Sequence, residues 1–394
     1  MPPAFADNVS DSIFDQLEKI MSNRHIYNQE KESKLLGLKA LLTYDSKQLP
    51  LEEQYQIHNK LIEEYWPYSF DSTLSYINRN AAIALELNNL KWINKCNLNL
   101  ALLLASSGRY KEAQDILKTI DKVYLDTKLT IDYFNCYRKI YSDLDYFALQ
   151  LESRKEYGYL YEVYTDSIAP LIKEDEDDYL YAQEWQLLDE GRFDECLMIN
   201  SLRLSKAEMA SEKYSYITFQ RSMIYEQMGD IPMEEKYLAL SAISDIKASR
   251  KDNASLAKLA LRTYEREDIN RAYEYIKYSF EDAVFYNSKL RFVEIANSFS
   301  LIMESHEIQS ERQKKALIVF TIIISILSLV LFALLYFVYR QNKTLQKAKD
   351  ELHDVNEQYK AVNRSLEDTM TELRLSFTIL PKLIISKNYT LATS

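Results

Sequence analysis

The sequence predicts an all-α chain: an array of helical hairpins, one membrane-crossing helix and a coiled-coil tail. Three observations carry this reading. Only 5 Gly and 7 Pro occur in 394 residues, about 3% where average globular usage puts about 12% in these two residues together. A turn-rich β sandwich or barrel is thereby excluded. Residues 316–339 are 24 consecutive positions without a charge, and beyond them apolar residues recur every seven positions. With 47% apolar and 27% charged residues, the chain can bury a core and does not have a disordered composition.

Residues 1–14 read either as the remnant of a signal peptide or as a disordered start. Ala4-Phe5-Ala6 before Asp7 has the A-x-A form of a signal-peptidase site, although no basic or apolar region precedes it. From residue 15 to 312 the apolar spacing is helical and the glycines mark internal repeats. Gly108-Arg109-Tyr110 is followed by Ala113 and Leu117, Gly191-Arg192-Phe193 by Cys196, Gly229-Asp230-Ile231 by Leu238, and Glu267-Asp268-Ile269 by Ala272 and Ile276. Phe70, with Thr73 and Ile77, is an upstream relative. The anchors Phe70, Tyr110, Phe193, Ile231 and Ile269 lie 40, 83, 38 and 38 residues apart, so a degenerate unit is expected around residue 150. Glycine permits the tight turn between antiparallel helices, the anchor plugs the hairpin, and the small residue three later lets the helices approach.

This pattern resembles the second half of the tetratricopeptide repeat, Gly-x-Tyr-x-x-Ala-x-x-x-aromatic, over about residues 55–300. Glu267 departs from it by replacing the glycine, and the spacing of 38 to 40 exceeds the usual ~34. The resemblance implies a tetratricopeptide-like α-hairpin solenoid, with a generic helical array as the alternative. It also implies that first helices line the inner face, which places Tyr181 and Trp185, then Tyr216 and Phe219, on a concave wall. Such a wall could stack on the rings of an oligosaccharide or grip an extended peptide; packing between repeats is the competing role.

Other sequence features point away from chemistry. Cys96, Cys136 and Cys196 are odd in number and widely spaced, the pattern of buried core thiols. The run Glu174 to Asp178 lacks the glycine and alternation of a calcium loop and reads as a solvated loop. No nucleophile elbow, phosphate loop or zinc-protease motif occurs. No enzyme, metal or cofactor is expected.

Residues 316–339, as a helix, extend about 36 Å, enough to cross a bilayer. Lys314, Lys315 and Arg340 flank the stretch, and Tyr336 and Tyr339 stand near one interface. The near flanks hardly decide orientation. Residues 340–394 hold 9 basic and 7 acidic residues (net +2), which leaves 39 and 52 (net −13) for residues 1–315. Together with the A-x-A start, this favours an inner-membrane, single-pass protein with a periplasmic N-terminal domain and a cytoplasmic tail.

Over residues 340–376, Leu345, Leu352, Tyr359, Leu366 and Leu373 recur every seven residues, with Ala348, Val355, Val362 and Thr369 between them. None of these positions is charged, which is the a/d seam of a coiled coil. A parallel homodimer is expected, with Leu345, Leu352, Val355, Tyr359, Val362, Leu366 and Leu373 in its interface. Neither Gly nor Pro occurs from Lys315 to Leu380, so the membrane helix can run straight into the coil. His353 lies in the coil without the Arg and Pro that follow a phosphoaccepting histidine.

The segments Asp15 to Leu42 and Tyr237 to Ala260, in an order of repeats, span and coil, resemble single-pass regulators of Bacteroides-type bacteria related to the starch-utilisation regulatory protein. The resemblance covers about residues 15–375. It implies a sensor that binds a ligand outside the membrane and alters transcription inside it; a membrane-anchored interaction scaffold without signalling output is the alternative. In those proteins the coil leads into a region thought to act on DNA, whereas residues 377–394 form a short tail with Lys382 and Lys387 but no basic stripe. DNA binding by this chain is therefore doubtful, a truncated terminus is an open reading, and Pro381 is expected to interrupt the helix.

Overall fold

Five of the six second helices of the array begin on an anchor residue. In the computed structural model, which describes residues 4–42, 49–173, 176–251, 254–287 and 289–390, every regular element among the described residues is helical. Two helices, α1 (Ala4–Ser22) and α2 (Arg24–Leu41), precede six hairpins. These are α3 (Leu51–Tyr65) with α4 (Phe70–Glu86), α5 (Leu90–Ser106) with α6 (Tyr110–Lys118), and α7 (Thr127–Phe147) with α8 (Leu151–Ile168). Then come α9 (Asp177–Asp189) with α10 (Phe193–Ser205), α11 (Glu212–Met228) with α12 (Ile231–Lys247), and α13 (Ser255–Glu265) with α14 (Ile269–Tyr286). The last helix, α15, runs Lys289–Thr390. The chain divides into two compact units, Met1–Ile308 and Gln309–Ser394.

Four hairpins turn through a left-handed residue two positions before the anchor: Gly108 (φ 82°), Gly191 (71°), Gly229 (73°) and Glu267 (64°). Glycine adopts this conformation without a Cβ penalty; Glu267 adopts it at a cost, which confirms that the last unit keeps the turn after losing its glycine. The units also differ in capping. Asp230 and Asp268 accept hydrogen bonds from the Met233 and Arg271 amides at 3.1 and 3.2 Å, whereas Arg109 and Arg192 supply no side-chain cap. The degenerate unit near residue 150 is the α7–α8 hairpin, which turns through Ala148 to Gln150 without a left-handed residue.

Burial corrects one expectation about these anchors. Phe70 is buried, but Ile231 is 48% exposed, and Tyr110, Phe193 and Ile269 are only half-buried. The hairpins are sealed one turn further on, where Thr73, Ala113, Cys196 and Ala272 are fully buried, and two turns on by Ile77, Leu117, Leu238 and Ile276. A residue at the very start of a helix projects from its end, while those three and seven positions later face the partner helix. All three cysteines are buried thiols, as their spacing suggested.

The first unit also departs from a simple solenoid, in which each repeat touches only its neighbours. Helix α1 begins upstream of Asp15 and packs against α12, burying Phe14, Leu17 and Ile20 in one cluster with residues of α12, α13 and α14. The end of α14 in turn meets the α3–α4 turn: Tyr286 donates to the Trp66 carbonyl at 3.0 Å, and Phe70, Leu103 and Leu35 share its core cluster. The Lys251 amide donates to the Pro67 carbonyl at 2.7 Å.

In the second unit, α15 carries the one helical segment among the described residues long and apolar enough to cross a membrane. Leu317 to Tyr339 leave every large apolar side chain 47–72% exposed, an arrangement unfavourable in water and suited to lipid. Pro381 lies inside α15 instead of ending it; a proline removes one backbone bond and bends a helix without always stopping it.

Candidate ligand and partner surfaces

The four aromatics assigned to the inner wall divide in the structure. Tyr181 and Trp185, one turn apart on α9, sit edge to face with ring centroids 6.2 Å apart. The guanidiniums of Arg138 and Arg203 lie over the Tyr181 ring at 5.5 and 5.2 Å, so α7, α9 and α10 converge there. The Trp185 indole N–H is buried without a hydrogen-bond acceptor. Tyr216 is 48% exposed and accepts from Arg250 at 2.5 Å, with the same guanidinium 4.2 Å from its ring. Phe219 instead packs against the core cluster that holds α1. Three of the four thus keep exposed surface or an unfilled polar group, while Phe219 supports the core.

Beneath Tyr181 lies a network that sequence reasoning missed. Arg203, 4% exposed, donates to Glu184, 3% exposed, at 2.5 Å and to Gln220 at 2.6 Å. It also reaches both oxygens of Asp177 at 3.2 and 3.3 Å. Asn200 donates to the other Glu184 oxygen at 2.8 Å. Burial pushes the Glu184 carboxyl upward against the opposing pull of Arg203 and Asn200. Burial also works against Asp177, but Arg203 and Lys213 hold it below its ordinary value. Such a network ties three helices together geometrically; its net stabilisation is small, because desolvation offsets most of the Coulomb attraction.

A signal for this network was present in the register. Ten residues after each anchor stand Asn80, Ile120, Arg203, Ser241 and Ser279, all buried and four of the five polar. A polar group recurring on an otherwise apolar face needs a buried partner. Asn80 has His58 at 3.0 Å, and Ser241 donates to the Ser215 carbonyl at 3.0 Å.

A second surface is a groove of about 480 Å³ between α1 and α14, lined by Glu18 of α1 and Arg24 at the start of α2 on one side and by Arg271, Glu274, Lys277 and Glu281 on the other. Two ion pairs cross it, Arg271–Glu18 and Arg24–Glu281, each at 2.7 Å. Its floor holds Tyr275, fully buried, whose hydroxyl closes no hydrogen bond of good geometry although the Glu18 carboxylate faces it. Burial first, then Glu18, pushes that phenol far above its usual range. Further along α14, Asp282 pairs with Lys251 at 2.9 Å, both about 5% exposed. Burial pushes Asp282 up to about 6 against the pull of Lys251.

The third surface is the seam of α15. Leu345, Leu352, Val355, Tyr359, Val362, Leu366 and Leu373 are each 50–70% exposed along one stripe. The run Glu174 to Asp178 falls partly outside the described residues, and no group of three metal-ligating side chains occurs among the described ones.

The family model described as the SusR N-terminal TPR domain matches residues 21–297, which includes every hairpin and both surfaces of the first unit apart from most of α1. No curated protein matches the chain.

Proposed function

The chain belongs to the SusR N-terminal TPR domain family, and from that premise we propose that this regulatory protein is a membrane-anchored sensor. In this reading the hairpin array binds its ligand or partner outside the cytoplasm, at the wall of Tyr181, Trp185 and Tyr216. The event then passes along α15, through residues 316–339, to a cytoplasmic coil that pairs with a second copy and acts towards transcription. The ligand is an oligosaccharide or an extended peptide. The observation that carries this reading is the presence, on one helix of a SusR-type chain, of a membrane-length apolar segment and an uncharged seven-residue stripe.

The membrane itself restricts the pairing. Two copies inserted in the same orientation can only bring their seams together in parallel, which places Leu345 on Leu345 and Val355 on Val355. A change outside can then reach the tail as a rotation or a shift in pairing. The alternative, an interaction scaffold with no output, fits the general role of tetratricopeptide surfaces but leaves the coil as a passive tether.

Single cysteines at Leu352, Val355, Tyr359 and Val362, introduced in a chain whose buried Cys96, Cys136 and Cys196 are replaced by Ala, test the proposal in membranes. Crosslinking at 352, 355, 359 and 362 and not at the off-seam positions 353 and 357, with a pattern that shifts when ligand is added, supports transmission. A pattern indifferent to every ligand that binds the array reduces the protein to a scaffold. Substitution of Tyr181, Trp185 and Tyr216 by Ala tests the wall; undiminished binding in a folded variant removes it.

A further inference from the structure

The geometry of the α1–α14 groove points to a second binding site, for a short zwitterionic peptide with free termini. The site is separate from the aromatic wall and does not depend on the sensor reading. Its lining carries three carboxylates, Glu18, Glu274 and Glu281, and three cations, Arg24, Arg271 and Lys277. A ligand of a single sign, such as a phosphate or a polyamine, meets as much repulsion as attraction there. Met21 and Tyr278 also line it, so a ligand with a small apolar body and a charge at each end uses both kinds of surface.

The charges are also ordered. Along α14 the signs alternate, Arg271, Glu274, Lys277, Glu281. The two end residues are already engaged across the groove by Glu18 and Arg24. The middle two, Glu274 and Lys277, are exposed and enter no ion pair with the other described residues; Lys277 only rests 5.7 Å from the Tyr273 ring. Three residues of helix separate them by about 4.5 Å along the axis, and their long side chains can reach the ammonium and carboxylate of an extended dipeptide, which spans about 6 Å. The two end pairs span the groove, and its volume of about 480 Å³ accommodates two or three small residues. A ligand seated there bridges the first helix to the last helix of the array.

Titration calorimetry on the full chain in nanodiscs, with dialanine as the probe, tests the site. The expected result is saturable binding that disappears when the peptide is acetylated and amidated, and that weakens about tenfold or more in Glu274→Gln and in Lys277→Met. Both side chains are exposed, so the fold is retained, and an unchanged thermal transition verifies this. The exchange Glu274→Lys with Lys277→Glu restores affinity with the peptide reversed. Absence of binding, equal binding of the capped peptide, or equal binding by a neutral disaccharide overturns the assignment.

Discussion

Replacing Arg203 by Met removes the centre of the buried network and leaves its carboxylates behind. Arg203 donates to Glu184, Gln220 and both Asp177 oxygens, so the variant strands the 3% exposed Glu184 carboxylate with Asn200 as its remaining donor. Breaking a buried pair from one side costs about 3–5 kcal/mol. Adding Glu184→Gln removes the stranded charge, and the double variant recovers to within about 1–2 kcal/mol of wild type, the cost of imperfect hydrogen bonds. The double variant is therefore more stable than Arg203→Met by about 1–4 kcal/mol, and the coupling between the two sites is at least that large. Urea unfolding followed by far-UV circular dichroism measures the sum, and hydrogen exchange in α9 to α11 shows where protection is lost. A pH dependence accompanies it. Burial already raises Glu184 in the folded chain, and without Arg203 it rises further. A carboxyl whose folded pKa exceeds its unfolded value stabilises below that unfolded value and loses the contribution as pH climbs through the folded one. The defect of Arg203→Met thus shrinks on acidification. A cost below about 1 kcal/mol, or additive single and double variants, refutes the claim that these charges depend on each other.

The turns supply a matched pair: Gly229→Ala lowers stability and Glu267→Gly raises it, each by about 1 kcal/mol, because both positions are left-handed; equal and opposite shifts in urea midpoint are expected. Leu17→Ala costs about 2–5 kcal/mol if α1 is an integral part of the core cluster, and a midpoint within error of wild type would show that α1 is dispensable. For Asp282, with a folded pKa of about 6 against an ordinary 3.8, the folded chain holds a proton that the unfolded chain releases, so its contribution falls as pH rises from about 4 to 6. Subtracting the Asp282→Asn profile from wild type isolates that slope, and a flat difference contradicts it. For the proposed coil, Val355→Glu with Val362→Glu places charges on the uncharged stripe and is expected to abolish pairing, read as loss of crosslinking at residue 352.

Much of this fold was legible because its grammar is local. A left-handed turn needs glycine or a strained substitute, so Gly108, Gly191 and Gly229 marked the hairpins directly, and Glu267 was recoverable from the spacing of its neighbours. The α7–α8 turn, made without such a residue, could be inferred only from a gap. The proposed wall came from the repeat register that the resemblance implies; Tyr181 and Trp185 lie one turn apart on α9, whereas Phe219 packs against the cluster built from α1, α12, α13 and α14. No periodicity in α11 announces that this cluster includes residues of α1, two hundred positions upstream. The network around Arg203 was visible only as a polar residue ten positions after four of the five anchors, a signal that acquires meaning once α9, α10 and α11 are adjacent.

The sequence by itself determined the helices, their turns, the membrane-length segment and the uncharged seam, since each follows from spacing, backbone conformation or solvent preference within a few dozen residues. The tertiary structure decided which hairpins meet out of order. The packing of α1 on α12, the docking of Tyr286 and Lys251 on the α3–α4 turn and the charged groove between α1 and α14 all join residues far apart in the chain. Apolar faces are chemically interchangeable, so their pairing is settled by shape and by the few buried polar groups that must find partners.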